Sequence, residues 1–592
     1  MKKIFLYSFI CLISMISCKK EAPIAEVNPT SKAFAELLSN YNDESYKYFP
    51  LNATFEGLEG YNSQFPNVLS DEFNTELKAY YTKTKDALAK INDVELSDTE
   101  KLSKAVLNWD CDINLKALSF EDYTPINQMW TVNLMMGQLA SGTSAQPFKT
   151  VEDYNNWLTR VDGYLVWLNS AEEKMREGIK VGHVLPKSLI KKVIPQFEGL
   201  ATGEVSDHLF FTPAKNIPEE ISFVERKNIM DPYMAMVSDK IMPAYKKMAD
   251  FLKNEYLPAG RETSGIADTP NGEAYYNHQI KTYTTTNMTA DEIHQLGLSE
   301  VARIRTEMEK VKEEVGYKGD LKSFFDFVRN NKELMPYKNA DEVIANFNGI
   351  HDKMKPQLEK LFDIKPKTPF EVRRTEAFRE ASASAEYNPG SKDGSRPGIF
   401  YAPIPDAAKY NVYADEALFL HEAIPGHHYQ ISLTQESETL PEFRKSLWYS
   451  AYGEGWALYT ESLGKELGLY TDPYQYFGML GMEMHRAVRL VVDTGIHSKG
   501  WSREQAIKYS LDNEAESEDS ITREIERYMA NGGQALSYKI GQLKIRELRA
   551  KAEKALGNKF DIKEFHNQVL ETGCIPLQLL ENKIDTWIAA NK

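Results

Sequence analysis

The sequence predicts a mostly α-helical fold, a large helical body carrying one small β-sheet. Three observations lead there. Apolar residues recur three and four apart through most of the chain, the spacing of amphipathic helices. Strand-like composition is confined to short stretches bounded by Gly and Pro. With 592 residues, 42% of them hydrophobic, the chain is long enough for a large buried core.

The N-terminus comes first. Met1-Lys2-Lys3, an apolar run from Ile4 to Ile16 and then Ser17-Cys18 have the layout of a secretory signal, placed at residues 1–17, and the run is too short for a membrane span. Met15-Ile16-Ser17-Cys18 resembles the bacterial lipobox, whose cysteine is acylated and becomes the new N-terminus. Acylated Cys18 would anchor the chain to a membrane of the bacterial cell envelope. Residues 18–30, with Pro23 and Pro29, suit a tether. Cys11 leaves with the signal, and Cys111 and Cys574 remain as a pair whose spacing does not decide whether they bond.

Residues 31–592 read as one catalytic domain with a helical N-terminal half to about 270 and a second half from about 271. Ser31 to about Lys253 has helical spacing. Tyr275 to Thr286 reads as extended from its Tyr and Thr content. Thr289 with Glu292 three residues on marks a capping box opening a long helix. Asn388 to Gly398 is a loop by composition, and Ile399 to Ile404 a short strand whose Pro403 suits a sheet edge. Helical patterning returns from Asp415.

The formal charge of -16, without a basic stripe, excludes a nucleic-acid surface. No Gly-x-Ser-x-Gly elbow or phosphate-binding Gly-x-x-x-x-Gly-Lys loop is present, which weighs against serine-esterase and nucleotide-dependent chemistry.

Three of the eleven histidines fall within His421-Glu422-Ala423-Ile424-Pro425-Gly426-His427-His428. Imidazole and carboxylate are zinc donors, and a catalytic Zn2+ lowers the pKa of a bound water whose proton a nearby carboxylate takes. Glu422 stands where that base is needed. The spacing departs from His-Glu-x-x-His. On a straight helix His421 and His427 would lie roughly 120° apart, and His428 about 10 Å along the axis. Pro425 breaks the helix and Gly426 frees the turn. His427 is the preferred second ligand, with His428 the alternative or a supporting residue.

The stretch Gly453-Glu454-Gly455-Trp456-Ala457-Leu458-Tyr459-Thr460-Glu461 resembles the Glu-Gly-x-x-x-Tyr-x-Glu run of gluzincin aminopeptidases, in which the first glutamate binds zinc. That resemblance nominates Glu454 as third ligand. Glu461, seven residues on, lies near the same helix face, where it could orient a ligand histidine. His421 to Gln430, Gly453 to Gly464, Val491 to His497 and Gly533 to Gly541 together resemble the bacterial domain of unknown function 885 family, and Thr284 to His294 and Gly394 to Tyr401 add to the match. One departure is Ala530-Asn531-Gly532 where a proline is expected before Gly533. The resemblance implies a metallopeptidase-like helical fold with the sheet beside the active-site helices, and a zinc-dependent hydrolase cleaving peptides or oligopeptides. An amidase acting on another or a cell-wall amide, and a non-catalytic surface-binding lipoprotein, are the alternatives. Peptidases of this type stabilise the oxyanion with a histidine or tyrosine outside the ligand set. His497 and Tyr538 are the candidates, with Tyr528 in reserve, each equally readable as a buried structural residue. The strand from Ile399 to Ala402 is expected to offer its edge to an extended peptide. The oligomeric state is left open.

Overall fold

The computed structural model describes residues 28–129, 131–376, 380, 383–391 and 396–592. The signal, Cys18 and most of the tether lie outside these residues, as do Lys392 to Ser395 of the Gly-rich loop. Helix accounts for 69% and strand for 3%, so the mostly helical reading with a small sheet holds.

Helix starts follow their local chemistry. Ser97 with Glu100, Thr150 with Asp153 and Thr289 with Glu292 each form a reciprocal capping box. The core does not divide near residue 270. Phe34, Leu38, Tyr80, Val106 and Leu107 pack into the same apolar core as the C-terminal half, whereas Trp157, Tyr164 and Trp167 centre a second core within residues 69–256. No helix among the described residues is long and apolar enough to cross a membrane. Cys111 and Cys574 are both buried free thiols.

The segment expected to be extended is a helix, α1 (Gly272–Thr284). Tyr276, Ile280 and Thr284, four apart, are its buried face, and Thr282 and Thr284 donate to the carbonyls of His278 and Ile280. Tertiary burial of that face overrides the strand preference of Tyr and Thr. The capping box at Thr289 opens α2 (Ala290–Glu314).

The sheet has three strands, β1 (Phe370–Arg374), β2 (Glu386–Asn388) and β3 (Gly398–Ala402), in the order β1-β3-β2. β3 runs parallel to β1, with Val372 opposite Phe400, and antiparallel to β2, with Tyr387 opposite Phe400. The strand expected at an edge is therefore central. Both its sides are hydrogen-bonded, so it has no edge to offer a peptide. Pro403 follows the last residue of the strand, where its missing N–H costs the ladder nothing.

Six further helices build the rest of the site: α3 (Asp415–Glu422), α4 (His427–Glu436), α5 (Ser450–Glu461), α6 (Pro473–Lys499), α7 (Glu518–Ala530) and α8 (Ser537–Leu556). Helices α5 and α8 cross backbone to backbone. A Cβ added at Gly541 would sit 1.8 Å from the Ala451 carbonyl oxygen, and one at Gly455 would sit 2.5 Å from the Gly541 Cα. Only glycine at both positions permits this approach, which sets Glu454 beside the N-terminal turn of α8. Lys539, fully buried, locks three helices together: its Nζ lies 2.6 Å from Glu483 on α6 and 2.9 Å from Glu300 on α2. Removing one partner from such a buried cluster would strand charge in a low-dielectric site.

Candidate metal centre

Helix α3 ends at Glu422 and α4 begins at His427, so the two histidines do not share a straight helix. Ala423 and Gly426 leave helical conformation at ψ -109 and -125, and the Ile424–Pro425 bond is cis. Gly426 is confined by its surroundings: an added Cβ would lie 2.0 Å from the His421 carbonyl oxygen and 2.3 Å from that of Leu420. Helix α5 holds the break from outside. Trp456 Nε1 donates to the Pro425 carbonyl at 2.9 Å, and the Thr460 hydroxyl donates to the Leu420 carbonyl at 2.8 Å. These residues are four apart on α5, a neighbouring face to the one bearing Glu454 and Glu461.

The break brings His421 and His427 together, with ring centroids 4.9 Å apart and planes at 88°. Both Nε2 atoms converge on one Glu454 oxygen, at 3.6 Å from His421 and 3.4 Å from His427. One donor atom from each of the three residues lies within 4.8 Å of the others, the arrangement of a group able to hold a metal ion. Glu461, buried, accepts at 2.7 Å from His421 Nδ1, which leaves His421 Nε2 to face the centre.

Electrostatics fit the same reading. Burial lowers the His421 pKa, but the Glu454 and Glu461 carboxylates outweigh it and raise the pKa to about 9. Burial pushes Glu454 up, yet hydrogen bonds to His421 and His427 hold it well below the usual carboxylate range. In both cases a proton on imidazole stands in for a cation. Glu461 Oε2 and His427 Nδ1 are buried without a hydrogen-bond partner among the described residues. A buried carboxylate with a single partner calls for positive charge close by. Two imidazoles and a carboxylate therefore suit a divalent ion of zinc type. Glu422 is half-buried beside them. Burial pushes its carboxyl up, His421 and His427 oppose that, and Glu454 adds to it.

His428 points elsewhere. Its Nδ1 lies 2.9 Å from the Tyr387 hydroxyl on β2, its ring packs 5.1 Å from that of Phe370 on β1, and burial lowers its pKa to about 4. It fastens α4 to the sheet. His497 is spent on backbone. Its Nδ1 accepts from the Ile266 N–H at 3.1 Å, its Nε2 lies 2.9 Å from the Tyr528 carbonyl, and burial lowers its pKa to about 4. No ring nitrogen remains for an oxyanion, which corrects the expectation for His497. The reserve residue Tyr528 is likewise engaged: its hydroxyl donates to Glu524 at 2.7 Å and accepts from Arg489 at 2.9 Å. Tyr538 borders the centre, because α8 meets α5 at Gly541 against Gly455 and at Ser537 Oγ, 2.7 Å from Ser450 Oγ; its hydroxyl pKa is pushed up first by burial and then by the Glu454 carboxylate.

Two neighbours of Tyr538 lie outside the motifs legible in the sequence. The guanidinium carbons of Arg486 and Arg489, on α6, lie 6.0 and 4.5 Å from the Tyr538 ring centre. Their signal is two cations three apart in an otherwise apolar stretch that continues through Leu490, Val491 and Val492.

Among solved structures, the chain is similar to "the putative lipoprotein from Colwellia psychrerythraea", with 29% identity and a TM-score of 0.85 over 95% of this chain and 100% of that one. It also resembles "a putative lipoprotein of unknown function from Shewanella oneidensis", with 18% identity and a TM-score of 0.72 over 93% and 99% of the two chains, a likeness of fold alone. No curated protein matches the chain. The model of a family described as bacterial protein of unknown function, DUF885, matches residues 50–584, and the chain belongs to that family.

Proposed function

We propose that this chain is a zinc-dependent hydrolase, kin to the zincin metallopeptidases, that cleaves peptide bonds of peptides or oligopeptides in the cell envelope. The observation that carries the reading is the convergence of His421, His427 and Glu454 within 4.8 Å. Those three residues would hold the ion, and Glu461 would hold His421 in the ligating tautomer. A bound zinc would supply Lewis acidity, making deprotonation of the attacking water accessible near neutral pH. Glu422 accepts the proton of the attacking water as the new C–O bond forms. It returns that proton to the amine nitrogen as the C–N bond breaks. The Tyr538 hydroxyl donates to the oxyanion that develops at the scissile carbonyl. A purely structural metal would leave Glu422 without a task.

Metal analysis and a peptide-library digest test this reading. Protein lacking residues 1–17 and purified without chelators is expected to carry about one zinc per chain. It should cut unstructured peptides, lose that activity to a chelator and regain it on adding zinc. A protein that holds no transition metal and takes none up would overturn the proposal.

The anchor belongs to the same proposal. The Colwellia psychrerythraea protein is titled a "putative lipoprotein", and Cys18 closes the lipobox-like run. Cys18→Ala is expected to move the chain from the membrane to the soluble fraction. Unchanged membrane fractionation would count against acylation.

A further inference from the structure

Arg486 and Arg489 sit one helical turn apart on α6, over the same Tyr538 ring that borders the metal centre. Arg489 is fixed on two sides. Its Nε donates to the Tyr528 hydroxyl at 2.9 Å, and its Nη2 lies 3.0 Å from both Glu524 and His485 Nε2. Its Nη1 is buried with no hydrogen-bond partner among the described residues. Arg486 has less: its Nη1 donates to the Met482 carbonyl at 3.3 Å, its Nε is buried with no partner, and no carboxylate pairs with it among the described residues.

The carboxylates hydrogen-bonded around Arg489 are already shared. Arg527 takes the same Glu524 carboxylate, at 2.9 Å, and Glu514 is engaged by His485 Nδ1. Arg489 and Arg527 thus share Glu524, Glu514 is taken by His485, and Arg486 is left with no ion-pair partner among the described residues. Helix α6 packs against both α3, which ends on Glu422, and α8, which carries Tyr538, so this guanidinium belongs to the helix cluster that builds the centre. Buried guanidinium N–H groups without acceptors are costly, and a carboxylate satisfies them with charge-assisted bonds. Such a site belongs where an anionic ligand binds.

We propose that Arg486 and Arg489 bind a carboxylate of the substrate beside the metal centre, and that this group is the free C-terminus of a short peptide. The chain then cleaves near the C-terminal end and does not act as a general endopeptidase. The inference rests on the peptidase reading above and narrows its substrate. An acidic side chain near the scissile bond offers the same chemistry and is distinguished by the test.

The test uses four versions of one short peptide, with a free or amidated C-terminus and with Glu or Gln in the last three positions. Binding is measured by calorimetry on zinc-loaded Glu422→Gln protein, and hydrolysis on the wild type. The free acid is expected to bind at least about tenfold more tightly than the amide, whichever side chain is present. In Arg486→Met, the ratio of KM for the amide to KM for the acid should fall to about one whatever happens to kcat, and Arg486→Lys should keep part of the difference. A preference for Glu over Gln that ignores the terminus would keep the carboxylate site and assign it to a side chain. Equal binding of all four peptides would overturn the site. The wild-type comparison stands even if the arginine variants fold poorly. Equal cleavage of all four peptides defeats this inference alone, whereas absence of both zinc and cleavage defeats the peptidase reading.

Discussion

Glu422→Gln is expected to keep the proposed zinc and to lose at least about a hundredfold in turnover, the low end for a positioned general base. Both halves of that result follow from where Glu422 stands. It is the last residue of α3, directly after His421, yet the donors that converge are those of His421, His427 and Glu454. A residue outside the donor set can lose its charge without loosening the ion. Glutamine keeps the size and a carbonyl oxygen of the side chain but cannot accept a proton at neutral pH. The surroundings of Glu422 tune it for exchange: burial favours the neutral form, while His421, His427 and Arg486 favour the charged one. Burial and Glu454 prevail and raise the pKa, which suits a carboxyl that takes a proton and gives it back within one cycle. The measurement is bound zinc and initial rate on the same preparation. A variant with full zinc and the wild-type rate would remove Glu422 from the mechanism.

Much of the site was legible in the sequence because it is local. Pro425 and Gly426 announce the break that turns a six-residue spacing into a shared centre, and Glu454 and Glu461 lie seven apart as two turns of one helix require. What stayed hidden depends on partners distant in sequence. His497 and a free oxyanion donor look alike until Ile266 and the Tyr528 carbonyl claim both ring nitrogens. β3 reads as an edge until Phe370–Arg374 and Glu386–Asn388 pair on either side. In α1 the Tyr and Thr content misleads, although the four-residue spacing of Tyr276, Ile280 and Thr284 is present in the same letters. Propensity points to a strand there and period to a helix, and burial decides by period.

His427→Ala and His428→Ala, one residue apart, are expected to part completely in zinc content. Removing His427 deletes one of three donors, so affinity should fall by more than about a hundredfold, beyond the 10–100-fold typical of losing a group that only orients a ligand. His421→Ala and Glu454→Ala should behave like His427→Ala, because each supplies one atom of the same 4.8 Å cluster. His428→Ala should retain zinc. Its ring is committed to Tyr387 and Phe370, so the loss appears as a less stable junction between α4 and the sheet, on the order of 2–4 kcal/mol from a cavity and an unpaired buried hydroxyl. Glu461→Gln falls between these cases. The side chain can still reach His421 Nδ1 through its carbonyl oxygen but no longer brings charge, so zinc affinity should drop about 10–100-fold with the stoichiometry at saturating zinc unchanged. Competitive titration against a chromophoric chelator ranks the five proteins on one scale. Depletion of zinc by His428→Ala, with retention in His427→Ala, would exchange the roles of the two histidines and require the break at Pro425 to open differently in the metal-bound protein.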